Sequence, residues 1–177
     1  MYTKRIHNTI VAFFARGREI GFVLMDSGQI LRYGVKTVKG KKLESNLIQR
    51  VENVLATAIT SIGTHGAIVV ERNNPRSSKG VLCQALHSLS KRLKRQGYQV
   101  LLVSWKEAQQ RLCEDEKGTQ REIIQAMVER QPLLWSLFSR STDQRATYWK
   151  KVLLAGALVE VAWQKLEREK GGSVHCC

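Results

Sequence analysis

Apolar positions along this chain recur in two rhythms, and the switches between them mark out the elements. Thr9–Phe14 (TIVAFF) is an unbroken β-branched and aromatic run, as a strand buried on both faces requires. Past Arg16-Gly17-Arg18 comes a second run, Ile20–Met25. Asp26-Ser27-Gly28 then carries turn chemistry into a third strand, Ile30–Thr37, of alternating character. From Leu43 to Ser61 the period lengthens. Leu47, Ile48, Val51, Val54, Leu55, Ala58 and Ile59 recur at three and four, which defines one buried helix face, and Gly63 closes it. Ala67–Val70 reads as a short strand ending on Glu71, and Arg72-Asn73-Asn74-Pro75 as a polar loop. A second helix follows over Ser77–Arg95, with Leu82, Leu86, Leu89 and Leu93 inward and Lys91, Arg92, Lys94 and Arg95 outward. Tyr98–Val103 is a fifth strand. Trp105–Leu112 makes a short helix, Cys113–Gly118 an acidic turn, and Gln120–Glu129 a helix that Gln131-Pro132 ends. The last helix spans Gln144–Glu167.

Three strands in a meander, then helices alternating with two more strands, predict an α/β protein. The order is that of the RNase H-like fold, a mixed five-stranded sheet with helices on both faces, though other α/β folds share this alternation. The length of 177 residues suits one domain, placed at 1–170 with a disordered tail at 171–177. Hydrophobic residues at 43% supply a core and exclude wholesale disorder. The longest apolar stretch, Val152–Val159, is far short of the roughly 18 residues of a spanning helix. Near the N-terminus arginines follow the apolar run where a signal-peptide cleavage site would need small residues, which points to the cytoplasm. The four cysteines, Cys83, Cys113, Cys176 and Cys177, form no C-x-x-C pair and suit a reducing compartment; Cys83 reads as a small core residue.

Charge narrows the function. The formal net charge is +14. Residues 72–112 alone carry nine basic side chains against one acidic. That excess lies in sequence that reads as folded, so it marks a surface for a polyanion and not a basic tail. Nucleic acid is the leading partner, DNA ahead of RNA. No strongly apolar helix face accompanies the charge, so a membrane surface is not expected.

Three stretches carry a family resemblance. AIVVE with its Asn-containing loop and SSKGVLCQALHSLSKRLKRQGYQV resembles the part of RuvC-like Holliday-junction resolvases that follows their second acidic residue. VSWKEAQQRL and GTQREIIQAMVER look like the strand, short helix, Gly turn and Met-Val helix that come next there. ARGREIGFVLMDSGQILRYGV is similar to the hairpin at the resolvase start. The resemblance implies phosphodiester hydrolysis by two divalent metals held on four carboxylates: one on the first strand, one ending the fourth, and two on the final helix. Carried over by position, Phe14 stands where the first acid should be, Glu71 matches the second, and Tyr148 and Lys151 occupy the final-helix positions. The chain thus resembles a catalytically degenerate member, with Glu71 as the remnant, no metal site and no cofactor. Lys151 facing Glu71 would put an ammonium where cations are lost. Asp143, at the start of the final helix, is the one substitute acid retained; Glu19 and Asp26 read as strand-start and turn residues.

What remains is binding. Arg16, Arg18, Arg72, Asn73, Asn74, Arg76 and Lys79 fall at the ends of the first and fourth strands, with Lys39, Lys41 and Lys42 after the third. Lys91, Arg92, Lys94 and Arg95 form a helix-borne cluster, and Tyr148-Trp149-Lys150-Lys151 interleaves aromatics with cations. The expected role is binding of branched or structured DNA as a subunit of a larger assembly. A homodimer is suggested by the apolar segment Leu133, Leu134, Trp135, Leu137 and Phe138, which reads equally well as core. Two rival classes stay open: a Mg²⁺- or Mn²⁺-dependent junction endonuclease using Glu71, Asp143 and an unidentified third acid, and a basic scaffold subunit of a ribonucleoprotein.

Overall fold

The computed structural model describes residues 9–39, 46–72, 80–113, 118–139 and 146–171. Strands β1 (Thr9–Arg16), β2 (Glu19–Asp26) and β3 (Gln29–Thr37) form the expected meander. β1 and β2 run antiparallel into a two-residue turn, with Arg16 opposite Glu19. Gly17 in that turn has φ 64°, the left-handed region that glycine enters without a side-chain penalty. At the β2–β3 turn both Ser27 and Gly28 have positive φ, the twist that suits a tight hairpin. Thr9 Oγ1 donates to Asp26 Oδ1 beside it (2.7 Å), so Asp26 serves the turn as the sequence predicts.

α1 (Leu47–Ile62) leads through a short 3-10 turn to β4 (Ala67–Glu71), which pairs parallel with β1. α2 (Val81–Arg95) then crosses to β5 (Gln99–Val103), parallel to β4. The sheet order is β3-β2-β1-β4-β5. α3 (Trp105–Ala108) continues into a π-helical turn (Gln109–Cys113), where a plain α-helix is expected from sequence. α4 (Gln120–Arg130) opens with a capping box between Thr119 and Glu122. After the turn at Pro132–Leu134 come α5 (Trp135–Ser139) and the long α6 (Ala146–Gly171). The tail expected from residue 171 lies, past Gly171, outside the described residues.

Side-chain alternation splits the core into two layers. Ile10, Ala12, Phe14, Val23, Met25 and Val69 face α6, α4, α3 and α5. Val11, Phe13, Leu24, Ile68 and Val70 face α1 and α2. The apolar face predicted for α1 is shifted by part of a turn: Ile62 joins it and Ile48 lies at its exposed edge, since Leu47, Val51, Leu55 and Ile59 already fill the contact with the sheet. The segment Leu133–Phe138 divides. Leu134 and Leu137 are core, whereas Leu133 and Trp135 are about half exposed. Among the described residues no helix is long and apolar enough to cross a membrane.

Candidate nucleic-acid interface

The site is the edge of the sheet where β1 and β4 end. Phe13 lies opposite Val70, so Phe14 and Glu71 follow one step further, both toward the α6 face. Phe14 is 7% exposed and meets the Trp105 ring edge-on, with centroids 5.9 Å apart. Trp105 reaches this point because β5 pairs Val103 with Glu71 and α3 starts two residues later. Phe14, Leu82, Cys83 and Trp105 thus wall a cleft of about 280 Å³, with Glu71 inside it and Arg16 and Gly17 at its rim. Cys83 packs against the core, as expected from sequence, and is partly exposed at this wall because α2 begins at the mouth of the cleft.

The seat of α6 is set by one glycine. Gly21 lies opposite Phe14 across the β1–β2 ladder, and a Cβ there would overlap the peptide carbon and oxygen of Lys151. The helix backbone therefore rests directly on β2, and Lys151 arrives beside the end of β1. Its chain is buried, and its ammonium meets Glu19 Oε2 at 2.5 Å. Glu19 is thus a carboxylate partner of Lys151 besides the Glu71 considered from sequence. Arg16 and Glu19 face each other across the hairpin, so Glu19 projects toward α6 and reaches the ammonium. Sequence reasoning passed over Glu19 as a strand-start residue; its place opposite Arg16, on the same face as Gly21, was the available signal.

A second hollow, about 570 Å³, opens next to the first and shares Arg16 and Gly17 with it. Arg16, Arg18, Lys150 and Lys151 line it, together with Glu19 and Thr37. The Val38 amide donates to the Arg18 carbonyl at 2.9 Å, which brings exposed Lys39 to the same corner. Arg72 leaves β4 with its amide bound to the Val103 carbonyl (2.8 Å) and its side chain exposed. Among the described residues Arg16, Arg18, Lys39, Arg72 and Lys150 have no ion-pair partner, and only Lys151 is paired with a carboxylate. One rim therefore gathers cations whose charge is not spent on a carboxylate of the described residues.

The helix-borne cluster is not part of this rim. α2 starts near Glu71 and runs back to the start of β5, where Gln99 lies opposite Ala67. Lys91, Lys94 and Arg95 on its last turns therefore sit at the far end of the sheet, about 20 Å away at 1.5 Å per residue. Arg92 forms an ion pair with Glu52 of α1 and joins the two helices. Lys41, Lys42, Asn73, Asn74, Arg76, Lys79 and Asp143 lie outside the described residues. Glu160, the buried acid of α6, accepts from Gln131 Nε2 (3.0 Å) at the other end of the helix, away from Glu71.

Among the described residues, the donors at this corner do not fit a pair of divalent metals of the kind the resemblance implies. Two such ions need several oxygen ligands to offset their repulsion. Here Glu71 lines its cleft together with Phe14 and Trp105, and the helix positions offer a phenol and an ammonium held by Glu19. Among the described residues no group of three or more His, Cys, Asp or Glu side chains could hold a metal ion.

A mixed five-stranded sheet in this order, with helices on both faces and a long last helix over β1 and β2, is an RNase H-like fold in its RuvC form. Among solved structures it resembles Thermus thermophilus RuvC, with TM-score 0.64 and 11% identity over 92% of this chain and 96% of that one. It also resembles T. thermophilus RuvC in complex with a Holliday junction substrate, with TM-score 0.62 and 14% identity over 93% of this chain and 97% of that one. At such identities the likeness establishes the fold. No protein-family model and no curated protein matches the sequence.

Proposed function

We propose that this protein binds branched or structured DNA through its phosphates, without cutting it, as a cytoplasmic subunit of a larger assembly. The observation that carries this reading is the rim where β1 and β4 end. Five cations without an ion-pair partner among the described residues gather there, while the positions implied to hold catalytic acids carry Phe14, Tyr148 and Lys151. The same fold in T. thermophilus RuvC takes a Holliday junction, which favours DNA over RNA and a branched site over a linear one. No cofactor is required for binding of this kind. The half-exposed Leu133 and Trp135 offer an apolar contact for a second subunit, of this chain or another.

The test is fluorescence anisotropy with a labelled four-way junction and a linear duplex of equal length, over a series of salt concentrations. The expected result is tighter binding to the junction and a steep loss of affinity with salt. Replacing Arg16 and Lys150 together with alanine should weaken both complexes at least tenfold, since each lost phosphate contact removes part of the counterion release. Unchanged affinity in that variant would place the interface elsewhere. No binding at low salt would favour the scaffold role.

A further inference from the structure

Tyr148 is 38% exposed, an unusual place for a large ring beside a cationic hollow, and it is not loose. The ring of Trp149 meets it edge-on, with centroids 4.9 Å apart and planes at 85°, and Trp149 itself packs on the core beneath α6. The course of α6 fixes where Tyr148 stands. Lys151 rests over Gly21, and Trp163 lies against Gly28 at the β2–β3 turn, so the helix runs from the hairpin corner toward that turn. One turn before Lys151, on the same side of the helix, Tyr148 therefore stands at the corner end, beyond the point where the sheet supports the helix. Lys150 and Lys151 of that same helix line the hollow with Arg16 and Arg18.

A braced, exposed aromatic ring next to Arg16, Arg18 and Lys150, which have no carboxylate partner among the described residues, is the pairing that holds a nucleotide whose base is free. The cations take the phosphate and the ring takes the π-face of the base, with no demand on base identity. A base stacked within a duplex presents no such face. We infer that this corner is a binding site for an unpaired nucleotide, with its phosphate among Arg16, Arg18 and Lys150 and its base stacked on Tyr148. The inference rests on the nucleic-acid reading above and adds the feature by which branched DNA is told from linear duplex. Trp149 holds the ring in place before binding, so little side-chain freedom is lost on stacking.

The experiment compares a labelled thymidine oligomer of about twelve nucleotides with the same sugar-phosphate chain made abasic throughout, equal in charge and length. The wild-type protein should bind the thymidine oligomer about fivefold or more tighter, Tyr148→Phe should keep that preference, and Tyr148→Ala should abolish it while still binding both chains. Quenching of tryptophan emission by the thymidine oligomer, and not by the abasic one, gives a second readout in the unmodified protein. Equal affinity of the wild type for the two chains, or a preference that survives in Tyr148→Ala, would overturn the inference while leaving phosphate binding intact. Failure to bind either oligomer or a four-way junction at low salt would overturn the reading beneath it as well.

Discussion

At Gly21 the backbone of α6 comes so close to β2 that a methyl group would overlap the Lys151 peptide. Gly21→Ala must therefore push the helix off the sheet or distort the strand, at a cost of about 1–3 kcal/mol. In thermal unfolding this should appear as a Tm several degrees lower; an unchanged Tm would mean the helix has room to give. Phe14 tests the vacated acid position directly. In Phe14→Asp the ring that packs on Trp105 is lost and a carboxylate enters a largely buried place, a change expected to remove about 3–5 kcal/mol. Because Glu71 is the one carboxylate lining that cleft among the described residues, Mg²⁺ should not raise the Tm of the variant. A Mg²⁺-dependent rise would show that the corner still has the ligands of a metal site. The place of Phe14 beside Glu71 at the end of the paired strands was legible in the sequence, because strand pairing fixes the register. The pairing of Lys151 with Glu19 was not. Which carboxylate meets a lysine depends on how a hairpin folds back beside a helix distant in sequence, and spacing along the chain does not encode that.

The elements themselves were largely written in the apolar rhythm, since each strand and long helix must bury one face against the sheet. The exceptions share a cause. The π-helical turn after α3 and the exposed edge of α1 both depend on what the element packs against, which local periodicity does not contain. The same holds for α2: its basic residues were evident, but only the topology places Lys91, Lys94 and Arg95 at the far end of the sheet from Glu71. Charge reversal should expose that difference. Lys94→Glu with Arg95→Glu should leave junction affinity within about threefold, whereas Arg16→Glu should lower it at least tenfold. Equal losses from both would return the α2 cluster to the interface. At the start of α4 the Thr119 backbone amide donates to Glu122 Oε2 at 2.5 Å, and that hydrogen bond holds the Glu122 carboxyl below its usual range. A carboxyl lowered on folding stabilises the protein above its unfolded pKa, and the gain fades as pH falls through the lowered folded value. The Tm difference between wild type and Glu122→Gln should therefore shrink on acidification; a difference constant with pH would show that the charged form of Glu122 adds nothing to the cap.

For the whole molecule the consequence of the architecture is a division of labour between the ends of one sheet. At the β2–β3 end, buried polar contacts hold the fold: Gln131 Nε2 donates both to Glu160 and to the Gly28 carbonyl, tying α6 to the turn. At the other end cations collect around a cleft and, apart from Lys151, have no ion-pair partner among the described residues. A polyanion approaching the end where β1 and β4 finish meets this group of cations, separate from Lys91, Lys94 and Arg95 at the opposite end. If Arg16, Arg18, Lys39, Arg72 and Lys150 each neutralise one phosphate, the logarithm of affinity should fall against the logarithm of salt with a slope of about −4.5. The most direct test of binding without hydrolysis uses one set of samples: a labelled four-way junction titrated with protein in Mg²⁺ and in Mn²⁺. Native gels read the complex, and denaturing gels read the strands. The expected result is a salt-sensitive complex with every strand intact. Paired cuts near the branch point that vanish with chelator would contradict it, and would mean that acids other than Glu71 complete a metal site.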